Sequence, residues 1–555
     1  MANIKIMALG GLGENGKNLY VVEVNTRIFI LDAGMKYPDI DMYGIDQVIP
    51  NIDYLIKNKH NIEGIFISHG HEDHIGAVPY LLKHLQTKVY GTHFTISIIE
   101  KRLIENKMNI KNFKLYRINA NRVMNFGDVT VSFFNTTHSI PESVGISINT
   151  KDGSIVYCTD FNFSSLTSGT YQTSYDKITD LGKKKVLAVL SESINAGSIG
   201  RIANDSLLEH NFKHILVKNK GRVFLGAYST DLIRIQKIID LAIEEGRKIC
   251  ILSKKSETII KVAEESKYIN LPEESKLYID ELSKEEIAAL NNVVFIVTGF
   301  RNEPYTALVK MLIDENYSIK LTPKDALILM CPPVPGIEKQ ASDAINTLYE
   351  YDAHLSIFDK TILRSQHASP EDLKTLYAML KPSYIIPVKG EYRHMYEQYL
   401  VAKSVGYDKS NVCLLDNGEV LTFINGELSP EHETVNAGDI FIDGSSIGVV
   451  DNDVIAERVN LAEEGVIFIH LALDMRLRKI VGKISITTKG FSHSFTNDEL
   501  TNIISGLVEK MINNYLKKKT WNLDDVKTGI SEEVKKLLFR YTRHRPIVVP
   551  VILEF

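Results

Sequence analysis

Short runs of apolar residues, each stopping at a polar group, set the texture of the chain from Ile4 to about residue 200. Arg27-Ile28-Phe29-Ile30-Leu31 and Gly64-Ile65-Phe66-Ile67 read as buried strands. Val129-Thr130-Val131-Ser132-Phe133-Phe134 alternates as a half-buried strand does. The first run ends at Asp32-Ala33-Gly34 and the second at Ser68-His69, while Ser154-Ile155-Val156-Tyr157-Cys158 ends at Thr159-Asp160. In open sheets strand ends converge on one edge, and functional groups collect there. From about residue 201 to 363 longer helical patterns alternate with strands. Gly221-Arg222-Val223-Phe224-Leu225 leads to Ser229-Thr230-Asp231, a predicted N-cap cluster; Leu232, Ile235, Ile239 and Ala242 then recur at helical spacing until Gly246. Lys248-Ile249-Cys250-Ile251-Leu252 and Val293-Val294-Phe295-Ile296-Val297 are further buried strands. After Leu363 the first texture returns, with Tyr384-Ile385-Ile386-Pro387-Val388 ending at Lys389-Gly390, so the middle segment reads as an insertion. Strand patterns at 466–473, 480–487 and 547–553 and helical ones at 498–518 and 531–541 form a last unit. The predicted domains are 1–200, the insertion 201–363, the returning part with a linker 364–447, and a small α+β domain 448–555.

Composition narrows this picture only a little. A chain of 555 residues exceeds one hydrophobic core and implies two to four domains. It is 44% hydrophobic and 24% charged with a net charge of −5, so a nucleic-acid groove would have to be a local basic lining on an acidic body. Cys158, Cys250, Cys331 and Cys413 form no C-x-x-C pair or disulfide framework and are expected to be buried thiols. The start, Met1-Ala2-Asn3-Ile4-Lys5, does not read as a signal peptide. No apolar run reaches the roughly 18 residues of a membrane span. A cytoplasmic protein without a membrane partner is expected.

The chemistry concentrates in His69-Gly70-His71-Glu72-Asp73-His74, directly after a strand. Residues i and i+2 of an extended loop point the same way, so His69 and His71 can share one ion. Asp73 and His74 open the next helix, predicted over 75–85, and face a second ion. Two metals about 3.5–4 Å apart activate a water and stabilise a leaving oxygen. Four ligand-type residues in six positions have no use in packing. His138, in Thr136-Thr137-His138-Ser139, is a candidate further ligand, although a lone histidine is more often a core or surface residue. Asp160 could bridge both metals, and Asp32 could orient a histidine from behind.

The order Asp32, His69-x-His71-x-Asp73-His74, His138, Asp160 resembles the metallo-β-lactamase superfamily, and the inserted α/β segment narrows the resemblance to the β-CASP nucleases. Ile30-Leu31-Asp32-Ala33-Gly34, Thr137-His138-Ser139-Ile140-Pro141 and Lys389-Gly390-Glu391-Tyr392-Arg393 are similar to strings of the bacterial ribonuclease J family. The resemblance spans essentially the whole chain. It implies an α/β fold: a metallo-β-lactamase αββα sandwich, an inserted α/β β-CASP domain and a small α+β C-terminal domain. It also implies RNA as substrate, 5′-to-3′ exonuclease and endonuclease activity in RNA maturation and decay, and two zinc or manganese ions.

The departures from the family pattern carry as much information. Where the family reads Pro-Val-His-Gly-Glu, with a metal-binding histidine, this chain has Pro387-Val388-Lys389-Gly390-Glu391. An ammonium with a reference pKa near 10.4 offers no lone pair at pH 7 and repels a cation. The family's Ser-Asp-Ser-Thr appears as Ser191-Glu192-Ser193-Ile194, and its Ser-Gln-Gly-Glu-Pro as Phe300-Arg301-Asn302-Glu303-Pro304. Its phosphate loop His-Ala-Ser-Gly-His appears as Leu363-Arg364-Ser365-Gln366-His367, followed by Ala368. Gln366 adds a side chain where phosphate would approach backbone. Weak discrimination between 5′-monophosphate and 5′-hydroxyl RNA is therefore expected.

The resemblance thus points to the second, weakly active paralogue of bacteria that carry two ribonuclease J proteins. In that reading His69, His71, His138 and Asp160 hold a first zinc or manganese ion, and Asp73 and His74 face a second site that is weak or empty. His367 donates a proton or touches the scissile phosphate, with Glu192 in the catalytic set. Residues 363–368 (Leu363, Arg364, Ser365, Gln366, His367, Ala368) and Ser229, Thr230 and Asp231 meet substrate phosphate. Lys389 stands in for the second ion against Asp73 and Asp160. The protein is expected to act mainly as a partner subunit, in a homo-oligomer or a hetero-oligomer with an active paralogue. A fully competent ribonuclease, with Glu192, Lys389 or water rescuing the second site, is one alternative. A small-molecule metallo-hydrolase is another, disfavoured because the insertion would roof the site into a long groove.

Overall fold

A computed structural model describes the chain except residues 1–2, 164–168, 200–204, 253–256, 280–281, 316–318, 335, 352–353, 364, 445, 492–496 and 519. The expected domain junctions near 200 and 364 lie outside the described residues. Two compact units are present, Met1–Tyr37 with Gln47–Ile440, and Pro38–Asp46 with Phe441–Phe555.

In the first unit two sheets face each other. One runs, strand beside strand, through Glu427–Leu428, Glu419–Ile424, Asn3–Gly10, Leu19–Val24, Arg27–Leu31, Ile62–Phe66, Lys88–Gly91 and Lys114–Arg117. The other runs through Tyr384–Val388, Val186–Glu192, Gly153–Cys158, Val144–Thr150, Val129–Asn135 and Val123–Phe126. Between them lies a core built from both, including Phe29, Phe66, Tyr90, Phe133, Tyr157 and Phe423. The runs that read as continuously apolar are strands buried on both faces, Gly153–Cys158 and Val186–Glu192 throughout their length. Helices Tyr175–Gly182, Pro370–Leu380 and Tyr392–Ser404 cover the outer face of the second sheet through Ile178, Leu373, Leu376, Tyr377 and Ala402. This is a helix–sheet–sheet–helix sandwich.

The insertion is visible in the strand order. Val186–Glu192 pairs in parallel with Tyr384–Val388, its neighbour in space but not in sequence. The residues between form a separate five-stranded parallel sheet, ordered Lys248–Leu252, Val293–Gly299, Arg222–Tyr228, Ala326–Met330, His354–Ile357. Arg222 is buried there and donates through Nε and Nη2 to Asp325 at 2.8 and 2.6 Å, which satisfies a charge that burial would otherwise penalise.

In the second unit, strands Lys479–Lys489, Val466–Asp474 and Ile547–Glu554 form a sheet. Ile467, Ile469, Leu471 and Leu473, on one face, pack against Leu500, Ile504, Val508, Val526, Ile530, Val534 and Leu538 of helices Asn497–Leu516 and Leu523–Thr542. The second of these helices begins eight residues before the predicted 531, because Asn522 caps it by accepting from Asp524 N at 3.0 Å. Three cysteines, Cys158, Cys250 and Cys331, are buried, and Cys413 is half-buried.

Candidate metal centre

Six strand ends deliver the cluster. Asp32 follows Arg27–Leu31, His69 lies just past Ile62–Phe66, and His138, Asp160 and Lys389 follow Val129–Asn135, Gly153–Cys158 and Tyr384–Val388, while Glu192 closes Val186–Glu192. Asp32, Asp160 and Lys389 all have positive φ, +60°, +48° and +52°. For residues with a Cβ this costs on the order of 1–3 kcal/mol each and is tolerated where surrounding contacts overdetermine the backbone. Gly34 serves the same end by having no Cβ; one there would fall 1.6 Å from the Asp73 carbonyl oxygen. Asp73 and His74 lie within a short helix, Glu72–Ile75, and a second helix, Val78–Leu85, follows after Gly76-Ala77. The single helix expected over 75–85 is broken there. The first segment bonds backward, Met35 N donating to Glu72 O at 3.1 Å and Ala33 N to His74 O at 2.8 Å.

His69, His71, His138 and Asp160 form one group of potential ligand atoms, and Asp73, His74 and Asp160 a second. Four edges of the first are defined: His69 Nε2 to His71 Nδ1 3.1 Å, His71 Nδ1 to His138 Nε2 3.2 Å, and Asp160 Oδ2 to His69 Nε2 3.3 Å and to His138 Nε2 3.4 Å. Four tetrahedral ligands bonded at about 2.0–2.1 Å to one ion stand about 3.3–3.4 Å apart. Burial holds all three imidazoles below their ordinary pKa, His71 down to about 3, so their lone pairs are free for a cation. The set fits a zinc-type ion.

Neighbours fix the rings. His138 Nδ1 donates to the Gln366 carbonyl oxygen at 3.1 Å, which leaves Nε2 facing the cluster. Asp32 is fully buried and accepts from Ser68 N and Oγ at 2.7 Å each, from Tyr157 OH at 2.7 Å and from His74 Nδ1 at 2.6 Å. Asn18 Nδ2 reaches Asp73 O at 2.9 Å and His74 Nε2 at 3.2 Å, and its Oδ1 accepts from Tyr20 OH at 3.0 Å. Sequence reading missed Asn18, Tyr20 and Tyr157. The dense glycines of Gly10-Gly11-Leu12-Gly13 are the local signal that could have pointed to close backbone approach near Asn18; nothing local marks the two tyrosines.

The second group does not fit an ion, because Lys389 Nζ already stands in it. The ammonium is 2.5 Å from Asp160 Oδ1, bonds Asp160 Oδ2 as well, and lies 2.9 Å from Asp73 Oδ2 and 3.0 Å from His74 Nε2. Its residue is 2% exposed. Burial works against the charge, but Asp160, Asp73 and Glu192 outweigh it and raise the Lys389 pKa. Burial likewise opposes ionisation of Asp73 and Asp160, yet Lys389 and His74 hold both carboxyls well below the usual range. The ammonium thus faces both oxygens of Asp160 and one of Asp73, with the His74 ring beside it.

Glu192, with Asp160 and His367, forms a third group of potential ligand atoms, and it is held in place by its neighbours. Its Oε1 accepts from Phe161 N at 2.7 Å and Ala368 N at 3.1 Å, and its Oε2 meets His367 Nδ1 at 2.7 Å. Burial opposes protonation of His367, but Glu192 and Asp160 prevail and raise its pKa. In the loop around it, Ser365 Oγ accepts from His367 N at 3.1 Å, and Asn162 Nδ2 donates to Gln366 Oε1 at 3.1 Å. Leu363 is buried, and Arg364 lies outside the described residues. Asp231 does not cap the helix Leu232–Glu244 with its side chain; it pairs instead with Arg234 Nη1 at 3.0 Å, a stronger, charge-assisted partner. Ser229 is buried and Thr230 half-buried; Ile233 N donates to Ser139 O at 3.2 Å, beside His138.

A histidine-and-aspartate cluster suited to a metal ion on one edge of a two-sheet sandwich, with a parallel α/β domain inserted between two neighbouring strands of the second sheet, is the architecture of the metallo-β-lactamase fold. Family models agree along the chain: a beta-lactamase superfamily domain at 31–173, a ribonuclease J beta-CASP domain at 220–348, a Zn-dependent metallo-hydrolase RNA specificity domain at 360–408 and a ribonuclease J C-terminal domain at 453–555. The chain is 34% identical over 555 residues to Ribonuclease J 2 of Streptococcus pyogenes serotype M3, with all of both chains covered. It is 34% identical over 552 residues to Ribonuclease J 2 of Staphylococcus epidermidis, covering all of this chain and 98% of that one. The chain belongs to the ribonuclease J family. A crystal structure of a protein of unknown function from Enterococcus faecalis V583 shares the fold, with a TM-score of 0.53 at 15% identity over 76% of this chain and all of the other. Among the described residues no helix is long and apolar enough to cross a membrane.

Proposed function

We propose that this chain is a ribonuclease J-type protein of RNA maturation and decay with one metal site, low intrinsic activity and a main role as partner subunit of an active paralogue. The observation that carries this reading is the Lys389 ammonium among Asp73, His74 and Asp160. His69, His71, His138 and Asp160 would hold a single zinc or manganese ion, which supplies Lewis-acid polarisation when bound. His367, charged and held by Glu192, is the proton donor to the leaving oxygen or a contact to the scissile phosphate. The loop at residues 363–368 meets the RNA backbone. With Asp73 and His74 engaged by Lys389, the charge stabilisation that a second cation gives an in-line displacement is missing. The match to an RNA specificity domain favours RNA over a small-molecule substrate.

Elemental analysis of the purified chain is expected to give about one zinc or manganese per chain; about two would overturn the one-metal reading. The partner role has its own test. Asp73→Ala and His74→Ala in this chain should change the nuclease activity of the mixed complex by less than about twofold. A loss of tenfold or more would show that this chain's own site contributes.

A further inference from the structure

The second unit ends its long helix in a turn that concentrates positive charge on a chain of net charge −5. Arg540, Arg543, His544 and Arg545 are all exposed. The guanidinium of Arg543 lies over the ring of Phe539 at 5.6 Å from its centroid, and that of Arg545 lies over the same ring at 4.3 Å. Two cations on one half-buried aromatic ring repel each other, so the backbone must hold them there. Arg543, with φ +62°, donates its N–H to Phe539 O at 3.1 Å. Thr542 Oγ1 donates to Leu538 O at 2.8 Å and accepts from His544 N at 3.2 Å. Glu464, from helix Asn452–Glu464, accepts at one oxygen from Arg545 N at 3.1 Å and faces His544 Nδ1 at 2.9 Å. Phe491 meets the His544 ring edge-on at 6.2 Å.

The arrangement leaves the arginines without a salt bridge, Arg540 interacting with Glu533 only at longer range. Among the described residues no carboxylate lies within ion-pair distance of the Arg540, Arg543 or Arg545 guanidinium. Glu464, the one acidic group in the turn, is engaged by a backbone N–H and a histidine. Complementing the helix dipole would explain cations at this end. It does not explain two guanidiniums gathered over one ring, at 5.6 and 4.3 Å from its centroid, with no carboxylate among the described residues paired to either. Contact with the ring removes rotamer freedom in advance, and the planar fork suits phosphate oxygens. Arginine and aromatic planes side by side are also what unstacked bases of a single strand pack on.

We propose that the Arg540–Arg543–Arg545 turn with Phe539 is a second RNA contact of this chain, which takes phosphodiester groups of a single strand using none of the residues of the metal cluster. The proposal rests on the reading of the substrate as RNA. It is tested on the full chain in chelating buffer, where hydrolysis is blocked, with a fluorescein-labelled, unstructured single-stranded RNA of about 20 nucleotides. Binding is followed by anisotropy as a function of salt. Single-strand binding loses about 0.7 units of log–log salt slope per phosphate contact removed. The variant Arg540→Gln/Arg543→Gln/Arg545→Gln is therefore expected to lose about two units of slope and at least about tenfold in affinity at low salt. Phe539→Leu keeps the charges and is expected to weaken binding with the slope unchanged. Arg540→Gln alone, off the Phe539 ring, should remove about 0.7 units and guards against misfolding of the triple variant. If the parent binds RNA and the triple variant binds it with the same affinity and slope, the proposal is overturned and the turn is a helix end or a docking point for an acidic protein surface. A parent that binds no RNA overturns the RNA reading itself, and this proposal with it.

Discussion

Lys389→Ala should lower the melting temperature of metal-free protein by roughly 5–10 °C. The substitution removes one member of a buried charge group and leaves Asp160, fully buried, and Asp73 without their main counter-charge. Breaking a buried pair in this way costs about 3–5 kcal/mol, and each kcal/mol shifts the melting of a large domain by about 2–4 °C or less. Added zinc or manganese should recover part of the loss, because a cation can then enter between the carboxylates. The pH profile follows from the direction of the shifts. Asp73 and Asp160 are held low, so their contribution is complete above their unfolded pKa near 4 and is lost as pH falls through the folded values. Lys389 is held high, so its contribution is complete below its unfolded pKa near 10.4 and is lost as pH rises past the folded value. The gap between parent and variant, measured by calorimetric melting, should therefore narrow below about pH 4 and above about pH 10. Burial and Lys389 oppose the charge of His74, but Asp73 and Asp160 outweigh them and hold its pKa above the ordinary value, so His74 adds its own change above about pH 6.5. A variant that melts with the parent at low metal would refute the stand-in role.

Lys389→His should convert the second group from three donors' worth of ammonium into an imidazole that can accept a cation. Titration calorimetry should then show metal binding rise from about one ion per chain to about two. Manganese-dependent cleavage of single-stranded RNA should rise at least about tenfold, since a second ion restores about 1.4 kcal/mol or more of transition-state stabilisation. No extra ion bound would sink the idea that Lys389 alone blocks the site. A second ion without a gain in cleavage would place the defect in the loop at residues 363–368 or in the Glu192–His367 pair.

The local sequence determined much of this protein. Strand and ligand-type residue come together in the chain at Ile67-Ser68-His69 and Cys158-Thr159-Asp160, so apolar runs ending in such residues pointed to the strands and to candidate ligands. Those features are local: a two-residue spacing orients His69 and His71 alike in any extended loop. Lys389 stood out because an ammonium cannot ligate, whatever its surroundings. The break between Glu72–Ile75 and Val78–Leu85 was not legible, because the tertiary bonds from Ala33 and Met35 fix where the first turn ends. Asp231 looked like a helix cap because Ser/Thr/Asp at that spacing commonly is one; the buried Arg234 guanidinium made a better partner. Glu192 read as a lengthened catalytic carboxylate, and only the fold brought it to Phe161 N in one distant stretch and to His367 and Ala368 N in another. Asn18, Tyr20 and Tyr157 act through partners up to 369 residues away, and no spacing within one segment encodes such a contact. Which ligand-type residues exist is written in the chain; which lone pair each turns to the centre, and which ammonium fills the gap, is decided when separate strand ends meet on one sheet edge and every buried polar atom must find a partner.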